Sequence, residues 1–122
     1  MWLGIFSSAA LWLFTATAFA DSCIFSSSPP FKLSSDTVDW TMQIASGRSC
    51  TRGLKLGPAN ISDVKLLASP QSGQVVIKGP SFSYTAKPDF QGQDDFILQV
   101  SGTMVRISGV SDIKVTVSVV DQ

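Results

Sequence analysis

Beyond its first twenty residues, this chain alternates apolar and polar positions with a period of two, in short runs broken by turn residues. Over residues 37–44, Val38, Trp40, Met42 and Ile44 take one phase and Thr37, Asp39, Thr41 and Gln43 the other, the pattern of a half-buried antiparallel strand. Leu54 and Leu56 suggest a short alternating piece that stops at Gly57-Pro58, and Val64, Leu66 and Ala68 another that stops at Pro70. Val75, Val76 and Ile77 form a continuous apolar run between Ser72-Gly73 and Gly79-Pro80. Phe82, Tyr84 and Ala86 share one phase, as do Phe96, Leu98 and Val100. Ser101-Gly102 reads as a turn into a strand over residues 103–107, and Ile113, Val115, Val117 and Val119 mark the inward face of the last strand. About eight or nine short strands with a turn signal every 8 to 12 residues predict an all-β sandwich or barrel.

Composition agrees. All 9 acidic residues are Asp, and the sequence has no Glu. Asp favours turns and caps where Glu favours helix. Lys and Arg also total 9, with no basic stripe, which argues against a nucleic-acid partner. His is absent, removing the commonest general base and the commonest neutral metal ligand.

Residues 1–20 read as a signal peptide. They are mostly apolar, uncharged, and end in Ala18-Phe19-Ala20 before polar Asp21 and Ser22. The missing basic residue at the start leaves an uncleaved anchor as the rival reading. With the leader removed, residues 21–122 form one domain with no membrane span, secreted or periplasmic. In that setting Cys23 and Cys50 pair as a disulfide, since their spacing suits neither a redox C-x-x-C pair nor a metal site. Residues 22–30, rich in Ser and Pro, read as an extended peripheral lead-in.

Residues 82–100 carry a more specific pattern. Two alternating runs flank a Pro/Asp/Gly turn, as in a β-arch or hairpin. Pro70, Gly73 and Val75, then Phe82 and Tyr84, then Phe90, Gly92, Asp94 and Phe96, and finally Val115, Val117 and Val119 resemble one repeat of the bacterial Ig-like and cadherin-like families. Those families form tandem arrays in large surface adhesins. The resemblance implies an immunoglobulin-like antiparallel β-sandwich, here as a stand-alone exported domain. Ala86 replaces the family's Pro, Asp95 replaces its Ser or Thr, and Ser101-Gly102 replaces an acid associated with calcium.

Asp89, Asp94 and Asp95 beside Gly92 are the candidate oxygen ligands for calcium. Their number falls short of the six to eight oxygens a Ca²⁺ site takes, so they read as turn-capping side chains, with no metal or other cofactor expected. Phe82, Tyr84, Phe90 and Phe96 read as core, and Trp40 as a core residue near the disulfide. Ser62-Asp63-Val64-Lys65 fits an S-x-x-K pattern but falls on a predicted strand, so no catalytic residue is expected. The expected function is a non-catalytic module binding a protein or glycan. The turns at residues 46–52 and 87–95 are its contact surface, exposing Arg48, Arg52, Asp89, Asp94 and Asp95. The alternative is an exported inhibitor or accessory protein of a periplasmic enzyme.

Overall fold

The computed structural model describes residues 23–55 and 57–121. The proposed signal peptide and Leu56 lie outside the described residues. Eight strands form: β1 (Cys23–Ser27), β2 (Asp36–Ala45), β3 (Ser49–Gly53), β4 (Asn60–Ala68), β5 (Gly73–Lys78), β6 (Ser81–Ala86), β7 (Gly92–Met104) and β8 (Ile107–Val120). They make a five-stranded sheet in the order β1-β2-β8-β7-β4 and a three-stranded sheet in the order β3-β6-β5. The orders β3-β6-β5 and β4-β7-β8 reproduce the B-E-D and C-F-G arrangement of immunoglobulin-type sandwiches. Among the described residues no helix is long and apolar enough to cross a membrane.

The predicted inward phases are the buried ones. Trp40, Met42 and Ile44 of β2, Phe82, Tyr84 and Ala86 of β6, Phe96, Leu98 and Val100 of β7, and Ile113, Val115, Val117 and Val119 of β8 build the core. Rings lock the two sheets together. Tyr84 stacks on Phe96 at 5.6 Å between centroids, and Phe82 meets the same ring edge-on at 5.6 Å. The Phe82–Val100 segment is therefore an arch, since β6 and β7 lie in different sheets. The Cys23–Cys50 disulfide joins β1 to β3, and so joins the sheets, across a Cα–Cα distance of 5.6 Å.

Several expectations are corrected. The lead-in is extended and peripheral as expected but is not free of the sheet: Cys23–Ser27 pairs antiparallel with β2 as an edge strand. The sandwich is not wholly antiparallel, because β2 runs parallel to β8 from Asp36↔Ser111 to Ala45↔Val120. Alternation reports which face is buried and is the same for either strand direction. The strand near Leu54 comes before it, at Ser49–Gly53, and Leu54 is a fully buried loop residue whose N–H donates to Pro80 O at 2.7 Å. Phe90 lies in the arch and is only partly buried against the core.

Ser101-Gly102 is not a turn. Strand β7 runs through it, and the hairpin turns at Val105-Arg106. Gly102 pairs with Gly109 of β8. A Cβ on Gly102 would sit 2.3 Å from Asn60 O, and one on Gly109 would sit 2.1 Å from Leu33 O. These glycines let neighbouring backbone cross the hairpin closely, a use that mimics a turn signal in sequence.

Candidate functional site

The strand directions bring the two predicted contact turns to one end of the sandwich. The β2–β3 turn follows Ser46 N donating to Val120 O at 2.9 Å, and Gly47 supplies a φ of 76°. The arch at residues 87–91 is tied to that turn by Ala86 N to Arg48 O at 2.9 Å. It is tied to the β4–β5 connection by Lys87 N to Ser72 O at 3.1 Å. Ser49 and Thr85 hydroxyls meet at 2.7 Å beside them. Lys87 and Asp89 are exposed on this surface and Arg48 is half-buried, whereas Asp95 is exposed part-way along β7, opposite Thr116, on the outer face of the five-stranded sheet. Asp89 holds a left-handed φ of 68°, a conformation Asp tolerates better than most residues.

Asp94 belongs to the scaffold, in contrast to its expected exposure. It is only 6% exposed. One carboxylate oxygen accepts from Gln71 N at 2.9 Å and from Asp95 N at 3.0 Å, and the other from Ser72 N at 3.0 Å and Tyr84 Oη at 2.8 Å. The side chain thus caps its own neighbour, as sequence predicted, and also anchors the β4–β5 connection and the core tyrosine. Burial, followed by the Asp94 carboxylate as hydrogen-bond acceptor and negative charge, pushes the Tyr84 hydroxyl well above the ordinary tyrosine range.

Arg52 is half-buried and committed to packing, in contrast to its expected exposure. It shares the inward phase of β3 with Cys50. Its guanidinium lies 4.3 Å from the Phe25 ring centroid and 4.9 Å from that of Trp40, and Nη2 donates to Ser28 Oγ at 3.2 Å. Phe25 and Trp40 meet edge-on at 6.0 Å, and Trp40 Nε1 donates to Pro29 O at 2.7 Å. Arg52 closes the side of the sandwich near the disulfide by cation–π contact and packing of its stem.

A second polar anchor escaped sequence reasoning. At the opposite end, Asp36 accepts from Lys32 N at 2.9 Å, from Ser34 N at 3.1 Å and from buried Ser111 Oγ. Ser111 Oγ accepts in turn from Leu33 N at 2.8 Å. Burial pushes the Asp36 carboxyl up, but the Ser111 hydrogen bond and the backbone donors outweigh it and hold the group below its ordinary value. The Ser34-Ser35-Asp36 run carried a turn signal. Its partner lies 75 residues away, which no local pattern reveals.

The end holding Arg48, Lys87 and Asp89 therefore presents charges of both signs on a fixed framework. Asp94, the buried acid beneath them, already accepts four hydrogen bonds. Among the described residues no group of three or more His, Cys, Asp or Glu side chains is placed to hold a metal ion.

No protein-family model matches the chain, and no curated protein matches it. A crystal structure of a sialyltransferase from Photobacterium damsela aligns with 9% sequence identity and a TM-score of 0.42. The alignment covers 69% of this chain and 18% of that one, so this chain spans under a fifth of that protein. A likeness at that level carries no argument about fold or activity.

Proposed function

We propose that the protein is a small exported, non-catalytic Ig-like module that binds a protein or glycan at the cell envelope or outside it. The observation that carries this reading is the gathering of Arg48, Lys87 and Asp89 at one end of a disulfide-stapled sandwich. A rigid scaffold with charged connections at its tip is what recognition needs. The bridge between Cys23 and Cys50 supports export, because such bonds persist in oxidising compartments. The immunoglobulin-type strand order supports the resemblance to the Ig-like and cadherin-like families, and membership of that group is part of the proposal.

Fractionation of cells making the full chain, with thiol labelling of each fraction, tests the compartment. The expected result is protein outside the cytoplasm with both cysteines blocked. Cytoplasmic protein with two free thiols overturns export. For binding, the partner captured from an envelope extract by the wild type should be lost with Lys87→Ala/Asp89→Ala at unchanged melting temperature. Turnover in a broad hydrolase screen, abolished by one Ser or Asp substitution, overturns the non-catalytic reading.

A further inference from the structure

The formal net charge of zero conceals a cluster of exposed cations at one end of the molecule. Strand directions carry Lys32, Lys55, Lys78 and Arg106 to the end opposite the site above. Lys32 lies in the connection that leads into β2, Lys55 follows β3, Lys78 closes β5, and Arg106 sits in the β7–β8 turn. Asn60↔Thr103, Gly53↔Ser81 and Lys78↔Ser81 align these elements at one end. All four cations are exposed. Of the acids on this half, Asp36 is held by Ser111 and two backbone N–H groups, and Asp112 accepts from Gln99 Nε2 at 3.1 Å. Asp39 pairs across the strands with Lys114, and exposed Asp63, opposite Ser101, lines a pocket with Gly79 and Pro80. The far end carries exposed Asp89 and Asp121 and buried Asp94, with Arg48 and Lys87.

The hairpin tip projects from the basic end. β4 last pairs with β7 at Thr103, and β2 first pairs with β8 at Ser111, so the Met104↔Ile107 rung extends past both neighbours. Val105 is 73% exposed and Ile107 63%. A two-residue turn with positive φ at both central residues normally takes Asn-Gly. Here Val105 has φ 46° and Arg106 φ 70°. A β-branched residue in that region is a genuine backbone outlier, and such outliers cluster at functional sites. Folding alone favours other residues at both positions.

We propose that this end docks on an anionic lipid surface. Val105 and Ile107 enter the headgroup boundary, and Lys32, Lys55, Lys78 and Arg106 meet lipid phosphates. Two aliphatic side chains on a projecting tip, ringed by cations from three other connections, match a flat negative surface with an apolar layer beneath it. This surface is separate from the end assigned to the protein or glycan partner, so either can fail without the other.

Vesicle co-sedimentation tests the proposal, using the protein as isolated from the cells that make it. Phosphatidylcholine vesicles are compared with vesicles containing about 30% phosphatidylglycerol. The difference between the two is the readout, because a retained apolar leader binds both equally. The expected result is preferential binding to the anionic vesicles, falling about tenfold or more when salt rises from about 0.1 M to about 0.5 M. Val105→Asn/Arg106→Gly should abolish the preference while raising the melting temperature, so its loss cannot come from unfolding. Lys55→Ser/Lys78→Ser should weaken binding, and Lys114→Ser, on the sheet face, should not. Equal binding to both vesicles, no binding to either, or a tip variant that binds like wild type overturns the proposal. So does salt-sensitive sedimentation without vesicles, which marks head-to-tail association of the two charged ends.

Discussion

At the residue scale, buried polar groups with many partners are the most sensitive points. Removing the Asp94 carboxylate orphans the Tyr84 hydroxyl and the N–H groups of Gln71 and Ser72. We therefore expect Asp94→Ala to cost about 3 kcal/mol in a denaturant melt, and Tyr84→Phe only about 1 kcal/mol, since Asp94 keeps its backbone donors. Tyr84 is the chain's one tyrosine, so alkaline absorbance reads it alone. Its pKa is raised in the folded state, so its contribution is fully present below pH 10 and is lost as pH rises through the folded value. Tyrosinate should appear only as the fold opens, and ionisation of Tyr84 within an intact fold would refute this. Asp36 has the opposite sign. Its lowered pKa contributes stability above its ordinary value of 3.8, lost as pH falls through the folded value. The stability gap between wild type and Asp36→Asn should be constant near neutrality and shrink below pH 3.8, and a gap independent of pH would remove the assigned role.

At the element scale, the β7–β8 hairpin sets its register by two devices of opposite effect. The paired Gly102 and Gly109 admit the Asn60 and Leu33 backbones, while the Val105-Arg106 turn works against the preferences of its residues. Gly102→Ala should destabilise, because the new methyl group meets a backbone oxygen rather than a movable side chain. Val105→Asn/Arg106→Gly should stabilise by about 1–2 kcal/mol, the left-handed penalty it relieves. Thermal melts of both variants against wild type measure these effects, and shifts of the same sign would contradict the distinction.

At the scale of the whole molecule, the disulfide cross-links two sheets that the chain itself joins at the β2–β3, β3–β4, β4–β5 and β6–β7 connections. It closes a separation of 27 residues. The C23A/C50A variant should lose about 3–4 kcal/mol, seen as a lower melting temperature that reducing agent does not lower further. An unchanged melt in the wild type on full reduction would show that ring packing between β6 and β7 suffices. The cluster of exposed cations at one end also belongs to this scale. The numbers of Lys plus Arg and of Asp are equal, and the chain topology decides where each sits.

Sequence alone determined the all-β content and the buried phase of β2, β6, β7 and β8, because a period of two is a local property that burial of one face imposes. Trp40, Tyr84, Phe96 and Val117 were legible as core on that ground, and Cys23 and Cys50 as a pair by count. Pairing partners were not legible. Which strand lies beside which, and in what direction, depends on contacts between residues far apart along the chain. So β2 lies parallel to β8, and the 22–30 lead-in supplies β1. The same reason separates the candidate site residues. Asp89 and Arg48 lie at the end where sequence put them, and Asp95 is exposed on the sheet face instead. Asp94 and Arg52 turn inward, because Tyr84 in one case, and Phe25 and Trp40 in the other, reach them only after the two sheets close.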